Sequence, residues 1–179
     1  KRQMYANNVG MFAAKYPGAR ANKLKVSLFP ATYAAKSNTQ IWKTWPYADQ
    51  FPGMPGTSSY VQSITKTDSY DEMHVIVIDS QGQFTGVKGK VLEKFAYMSK
   101  AKDAMNPDGT SNYWVDVLAR QSKYIFPLNN SQNTYINQAH GPTQAVDLGC
   151  NWGDNTANVA LQSPRWFKET ILPFPAVDP

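Results

Sequence analysis

The sequence predicts an α+β domain, and three stretches carry that expectation. Residues 73–78, Met-His-Val-Ile-Val-Ile, form a nearly continuous apolar, β-branched run. Such a run suits a strand covered on both faces. Residues 79–82, Asp-Ser-Gln-Gly, then supply turn chemistry, and β-forming residues resume at 84–87. A β-hairpin is therefore expected over 73–87. The third stretch is a helix expected over 112–124. Tyr113, Val117, Leu118, Tyr124 and Ile125 leave it one apolar face, and Thr110 or Ser111 is placed to cap it. Arg120 and Lys123 fall in its last turn, where cations complement the helix dipole. The sheet is expected to be mixed or antiparallel, with long aromatic, proline-rich loops around it.

Taken in order, residues 4–15 read as the tail of a helix that Gly10 ends, and 15–18, Lys-Tyr-Pro-Gly, as a turn. Residues 22–29 alternate, with Leu24, Val26 and Leu28 on one face and Lys23, Lys25 and Ser27 on the other. That is the pattern of a half-buried strand, stopped by Pro30. Residues 31–69 are the least regular, with Tyr33, Trp42, Trp45, Tyr47 and Phe51 among prolines and glycines. Within them, 60–67 alternates in a way compatible with another strand. Residues 91–98 space Val91, Leu92, Phe95 and Met98 as on a helical face, although the run is short enough for a strand. Asn106-Pro107-Asp108-Gly109 breaks the chain. Beyond Pro127 come a polar connection over 128–139, loops near Gly141, Gly149 and Gly153, and a short amphipathic turn of helix over 162–172.

At 179 residues and 42% hydrophobic, the chain is long enough to bury one core. A single domain over 1–179 is expected. The aromatic share is 13% and the charged share 17%, which leaves much surface polar but uncharged. No apolar run reaches the ~20 residues of a membrane span, so no membrane insertion is expected. The start, Lys1-Arg2-Gln3-Met4-Tyr5, lacks an initiator Met and an apolar signal core, and 173–179 is an extended proline-rich end. The chain is thus expected to be the core portion of a larger subunit. Its net charge is +5, but the lysines are scattered, and no direct nucleic-acid contact is expected. A single cysteine rules out an internal disulfide framework and fits a reducing cytoplasm.

Candidate chemistry is thin. His140, Asp147 and Cys150 suggest a cysteine-dependent hydrolase, but nearness in sequence supplies neither an oriented base nor an oxyanion hole. Trp42, Trp45 and Tyr47, in the aromatic loop 42–51, suggest a stacking platform for a sugar or a base. The alternative is an aromatic-anchored loop packed on its own domain or a neighbour. Asp71, Glu72 and Asp79 flank one strand and raise a paired-carboxylate glycosidase, although strand ends are ordinary places for Asp. His74 is expected to be a packed or solvent-facing residue. A calcium loop over 104–115 fails, because Ala104 and Val115 stand where acidic ligands belong. No nucleotide cradle is present, and no catalytic, metal or cofactor site is assigned.

Several motifs nevertheless fall in a telling order: Val75–Ser80, the 82–86 turn, VLEKF at 91–95, Ser-Lys-Ala-x-Asp-Ala at 99–104, Asp-Gly-Thr-Ser-Asn-Tyr at 108–113, and Ser-x-Tyr-Ile at 122–125. Upstream, 13–18 followed by Asn22-Lys23-Leu24-Lys25-Val26 forms a turn that opens a strand. Together these resemble the tail sheath proteins of contractile-tailed bacteriophages over roughly residues 9–125. The chain departs from that pattern at Ala21, where sheath proteins often carry Gly. The resemblance implies a virion structural protein, not an enzyme, with no cofactor. It implies six-membered rings stacked helically around the tail tube, which slide on a trigger and drive the tube through the host envelope. Implied partners are other copies of the chain, the tail tube protein, and baseplate and tail terminator proteins. Implied locations are the phage tail and, during assembly, the host cytoplasm. Terminal arms of sheath subunits add strands to adjacent copies.

Overall fold

A computed structural model describes residues 12–16, 20–31, 36, 38–127 and 150–152, the last three through their strand pairing. Helices and antiparallel sheets combine in an α+β fold. The strands are β1 (Phe12–Ala14), β2 (Leu24–Pro30), β3 (Glu72–Asp79), β4 (Lys90–Ser99), β5 (Ile125–Pro127) and β6 (Cys150–Trp152). The helices are α1 (Gln40–Thr44), α2 (Ser59–Thr65) and α3 (Trp114–Gln121). Among the described residues, one sheet runs in the order β4-β3-β2-β6, and β1 pairs with β5 in a separate ribbon.

The centre of the sheet is β3, buried from Met73 to Asp79. Its alternate residues feed two cores. Met73, Val75 and Val77 join Val26, Leu28, Phe95 and Met98 beneath α3 and the ribbon, through Trp114, Val117, Leu118, Phe12 and Ile125. Ile76 and Ile78 face the other way and pack with Phe29, Trp45 and Phe51. The expectation of a strand covered on both faces holds.

The hairpin is real, but its second strand begins at Lys90 and not at Phe84. The cause is Asp79. Its carboxylate accepts from the amides of Gln83 (2.8 Å), Phe84 (2.9 Å) and Thr85 (2.8 Å), and from the Thr85 hydroxyl (3.0 Å). A side chain that gathers three successive amides curls the chain and takes those donors from the sheet ladder. Gly82 sits inside the curl at φ 74°, where an added Cβ would meet Lys88 N at 3.1 Å. Burial works to raise the Asp79 carboxyl, yet the bonds from Thr85, Phe84 and Gln83 outweigh it and hold its pKa below the ordinary value.

Residues 91–98 are strand, and their helix-like spacing has a structural origin. The pairing of β4 with β3 slips twice, opposite His74 and between Val77 and Ile78. Each slip is a bulge that adds one residue to β4. Phe95 and Met98, three apart in sequence, therefore reach the same core. Within the first bulge Tyr97 takes φ 53°.

Other expectations change. Residues 60–67 are not a strand: Ser58 caps α2 by accepting from Val61 N (3.3 Å), and Lys66 ends it at φ 57°. In β2 the polar face is not solvent-facing, for Ser27 is buried and accepts from Trp45 Nε1 at 2.9 Å. The strand also extends through Pro30. The helix expected over 112–124 is shorter, and Tyr113 stands at its cap position without a side-chain cap bond. Ser111 Oγ instead accepts from Tyr113 N (3.2 Å) and donates to Asp116 (2.8 Å). Ser122 ends α3 and leaves Lys123 beyond it. Ala21 opens a 3-10 turn with no positive φ, so the departure from the family pattern there costs no strain. The expected helix tail, ended by Gly10, lies outside the described residues, and 12–14 beyond it are strand. The Pro17-Gly18 turn and the expectations for 128–149 and 162–172 lie outside the described residues.

Asp79→Ala should lower unfolding free energy by about 3 kcal/mol, because it strands three amides and a hydroxyl around a buried site. Urea denaturation checks this, with Ser80→Ala expected to cost less, since it removes one hydroxyl bond to Lys23 O (2.7 Å).

Candidate functional site

Polar side chains converge at two places along the rim of β3. One is Asp71, buried just before the strand. It accepts from Ser58 N (2.8 Å) and Ser58 Oγ (2.7 Å), and also from the Ser99 hydroxyl. Ser58 caps α2 and Ser99 ends β4, so this one carboxylate ties a helix start to a strand end. Lys100 follows Ser99; its amide donates to Asp71 O (2.8 Å) and its amine reaches Ala31 O at 3.5 Å. Burial pushes the Lys100 amine down to about 8, against the pull of the Asp71 charge. A serine, a lysine and an aspartate in one place can suggest hydroxyl activation. Here both hydroxyls donate to the carboxylate, and the amine bonds neither of them.

The second place is His74, fully buried in mid-strand. Its Nδ1 accepts from Tyr97 N (3.0 Å), so Nε2 carries the proton and donates to Gly53 O (2.9 Å). Phe51 stacks on its ring at 4.4 Å and 3°, while Tyr97 and Trp42 meet it edge-on. Burial lowers the imidazole to about 4, against the Gly53 hydrogen bond. Glu72, two residues earlier, accepts from Gly56 N at 2.9 Å. Burial raises its carboxyl; the Gly56 bond opposes that and the Asp71 charge adds to it.

The sequence candidates can now be placed. Trp42, Trp45 and Tyr47 offer no flat exposed platform. Trp45 is 2% exposed, and its planes to Trp42 and Tyr47 differ by 45° and 79°. These rings are the second core, packed on Phe29, Ile76 and Ile78 of the chain's own sheet. Asp71 and Asp79 bracket an eight-residue strand, which separates them by roughly 26 Å. That exceeds the ~10 Å upper limit of a glycosidase carboxylate pair. Asp108 accepts from Thr110 N (2.9 Å) and Thr110 Oγ1 (2.7 Å), which makes it a turn residue. The Cys150 backbone pairs with Leu28, whereas His140 and Asp147 lie outside the described residues. No group of His, Cys, Asp and Glu among the described residues has metal-binding geometry, and no helix among them is long and apolar enough to cross a membrane.

The β1–β5 ribbon pairs Phe12 with Pro127 and Ala14 with Ile125, and no third strand flanks it among the described residues. Its outer face carries Phe126, 44% exposed, with the Lys15 amine 4.7 Å from the ring centre. Tyr16 lies beside it against Phe84 and Tyr124. Sequence reasoning singled out neither Phe126 nor the structural task of His74. Only the position of Phe126 next to the buried Ile125, and the apolar setting of His74, could have signalled them.

No family model matches the chain, and no curated protein matches it.

Lys100→Met should stabilise the chain by about 1–2 kcal/mol at pH 7. The folded amine titrates near 8 against an ordinary 10.5, so the cost of burying it is in full force below pH 8. It fades as pH rises to 10.5. Urea midpoints of both chains at pH 7 and at pH 10.5 check the sign, and the gap should shrink at the higher pH.

Proposed function

We propose that this chain is the core portion of a contractile tail sheath subunit. It stacks with other copies in six-membered rings around a tail tube and rearranges on contraction, driving the tube through a host envelope. In this reading it is a virion structural protein and not an enzyme. It needs no cofactor, because the work comes from the difference between two sets of contacts between copies. Its partners are its own copies, the tube protein, and the baseplate and terminator proteins.

The observation that carries the reading is the ordered set of sheath-like motifs, together with what their residues do. Asp79 and Gly82 set the hairpin turn. Ser99 ties β4 to Asp71. Asp108 sets the turn before α3. Ser122 accepts from Tyr124 N (3.2 Å) and Ile125 N (3.1 Å) and donates to Glu93 (2.6 Å). Each motif fixes a loop to the sheet, and such ties favour a body that moves as one piece. The ribbon supports the reading in a second way: a two-stranded ribbon with no flanking strand among the described residues can accept a strand from another chain.

The test is negative-stain electron microscopy of the protein that contains this chain, produced without other phage proteins. Hollow tubes or stacked six-fold rings are expected. Dispersed compact particles at concentrations that favour assembly would overturn the proposal. If tubes form, Phe126→Asp should weaken assembly at least tenfold in critical concentration while leaving the fold intact by circular dichroism.

A further inference from the structure

Residues 51–56, Phe-Pro-Gly-Met-Pro-Gly, form a strap across the β3–β4 side of the sheet and contain no titratable side chain. Pro52 and Pro55 have no N–H to give, so no regular ladder can hold the strap. It is held at its two glycines. Gly53 O accepts from His74 Nε2. Gly56 donates to the Glu72 carboxylate, and its carbonyl accepts from Glu72 N at 3.0 Å. The other nitrogen of His74 holds the Tyr97 amide and with it the β4 bulge.

We propose that His74 is an acid-released latch: its protonation frees the Tyr97 bulge of β4 from the sheet, while the Gly53 and Gly56 ends of the strap stay in place. An imidazolium has two N–H groups and no acceptor. Its Nδ1–H would face the Tyr97 N–H, donor against donor. Its charge would lie on a ring stacked flat on Phe51 and fully buried. The Tyr97 bond thus requires the neutral ring, whereas the Gly53 bond survives protonation and opposes the downward shift.

Of the neighbouring charged groups, only Glu72 opposes this. Lys94 donates to Gln50 O at 3.2 Å, just before the strap, and adds positive charge. The Tyr97 hydroxyl, beside Gly53, is raised by burial and by the Glu72 charge, so it is neutral in acid. Asp71 is held by Ser58 and Ser99, Lys25 of β2 is half-buried, and Lys43 and Asp49 of the aromatic segment are exposed. Glu72 works in the opposite direction to His74. Burial raises its carboxyl, so protonation in acid relieves a cost of the closed form. For His74 the closed form titrates near 4 and the released form near 6.5. Release therefore takes up one proton between those values, and closure weakens as pH falls through that window.

Hydrogen exchange of the intact chain, normalised for the intrinsic rate at each pH, tests this. The Tyr97 amide should lose about tenfold in protection per pH unit between 6.5 and 4. The Gly56 amide and the β2–β3 ladder should remain more protected at every pH. In His74→Gln, whose amide can still donate to Gly53 O, the Tyr97 slope should disappear. Tyr97 protection that is flat with pH in the natural chain, or that falls in step with Gly56 and the ladder, overturns the latch. Comparing the two amides in the natural chain decides the matter even if the variant fails to fold.

Discussion

A strand covered on both faces has no water for its polar side chains, and β3 places four of them at or near its ends and centre. Asp71, Glu72, His74 and Asp79 must each find partners inside the protein, because an unpaired buried polar group costs ~1–3 kcal/mol. Each is satisfied by a different connection: α2 and the end of β4, the strap, the β4 bulge, and the hairpin turn. The loops are therefore positioned by the needs of one strand, and the apolar residues of β3 then fill the two cores between those ties.

That arrangement explains which parts of the sequence were readable. The β3 run and the alternation of β2 announce strands directly, since burial on a pleated surface demands those residues. The turn at 79–82 was readable for the same local reason. The start of β4 was not, because Asp79 reaches six residues ahead to Thr85, and such a reach leaves no periodic trace. Bulges hid β4 in another way, by giving strand residues a spacing of three. At α2, a cap bond from Ser58 decided between helix and strand where alternation suggested the latter. The aromatic rings of 42–51 signalled burial as strongly as exposure, and only the apolar outer face of β2 and β3 resolves the two.

The same polar ties bear on the proposed role. A subunit that must leave one set of neighbours and meet another works best if its internal geometry does not relax in between. Buried hydrogen-bond networks specify a single arrangement more sharply than an apolar core of equal volume.

The irregularity of β4 has one more consequence. Among the described residues it is the outermost strand of its sheet, and a flat, regular border strand is a template on which another chain can misassemble. Two bulges twist β4 out of register, and Lys90 and Lys94 stand exposed along it. A foreign strand would meet a broken rhythm of donors and acceptors and a row of like charges. Such a border is a poor template for pairing with a foreign strand.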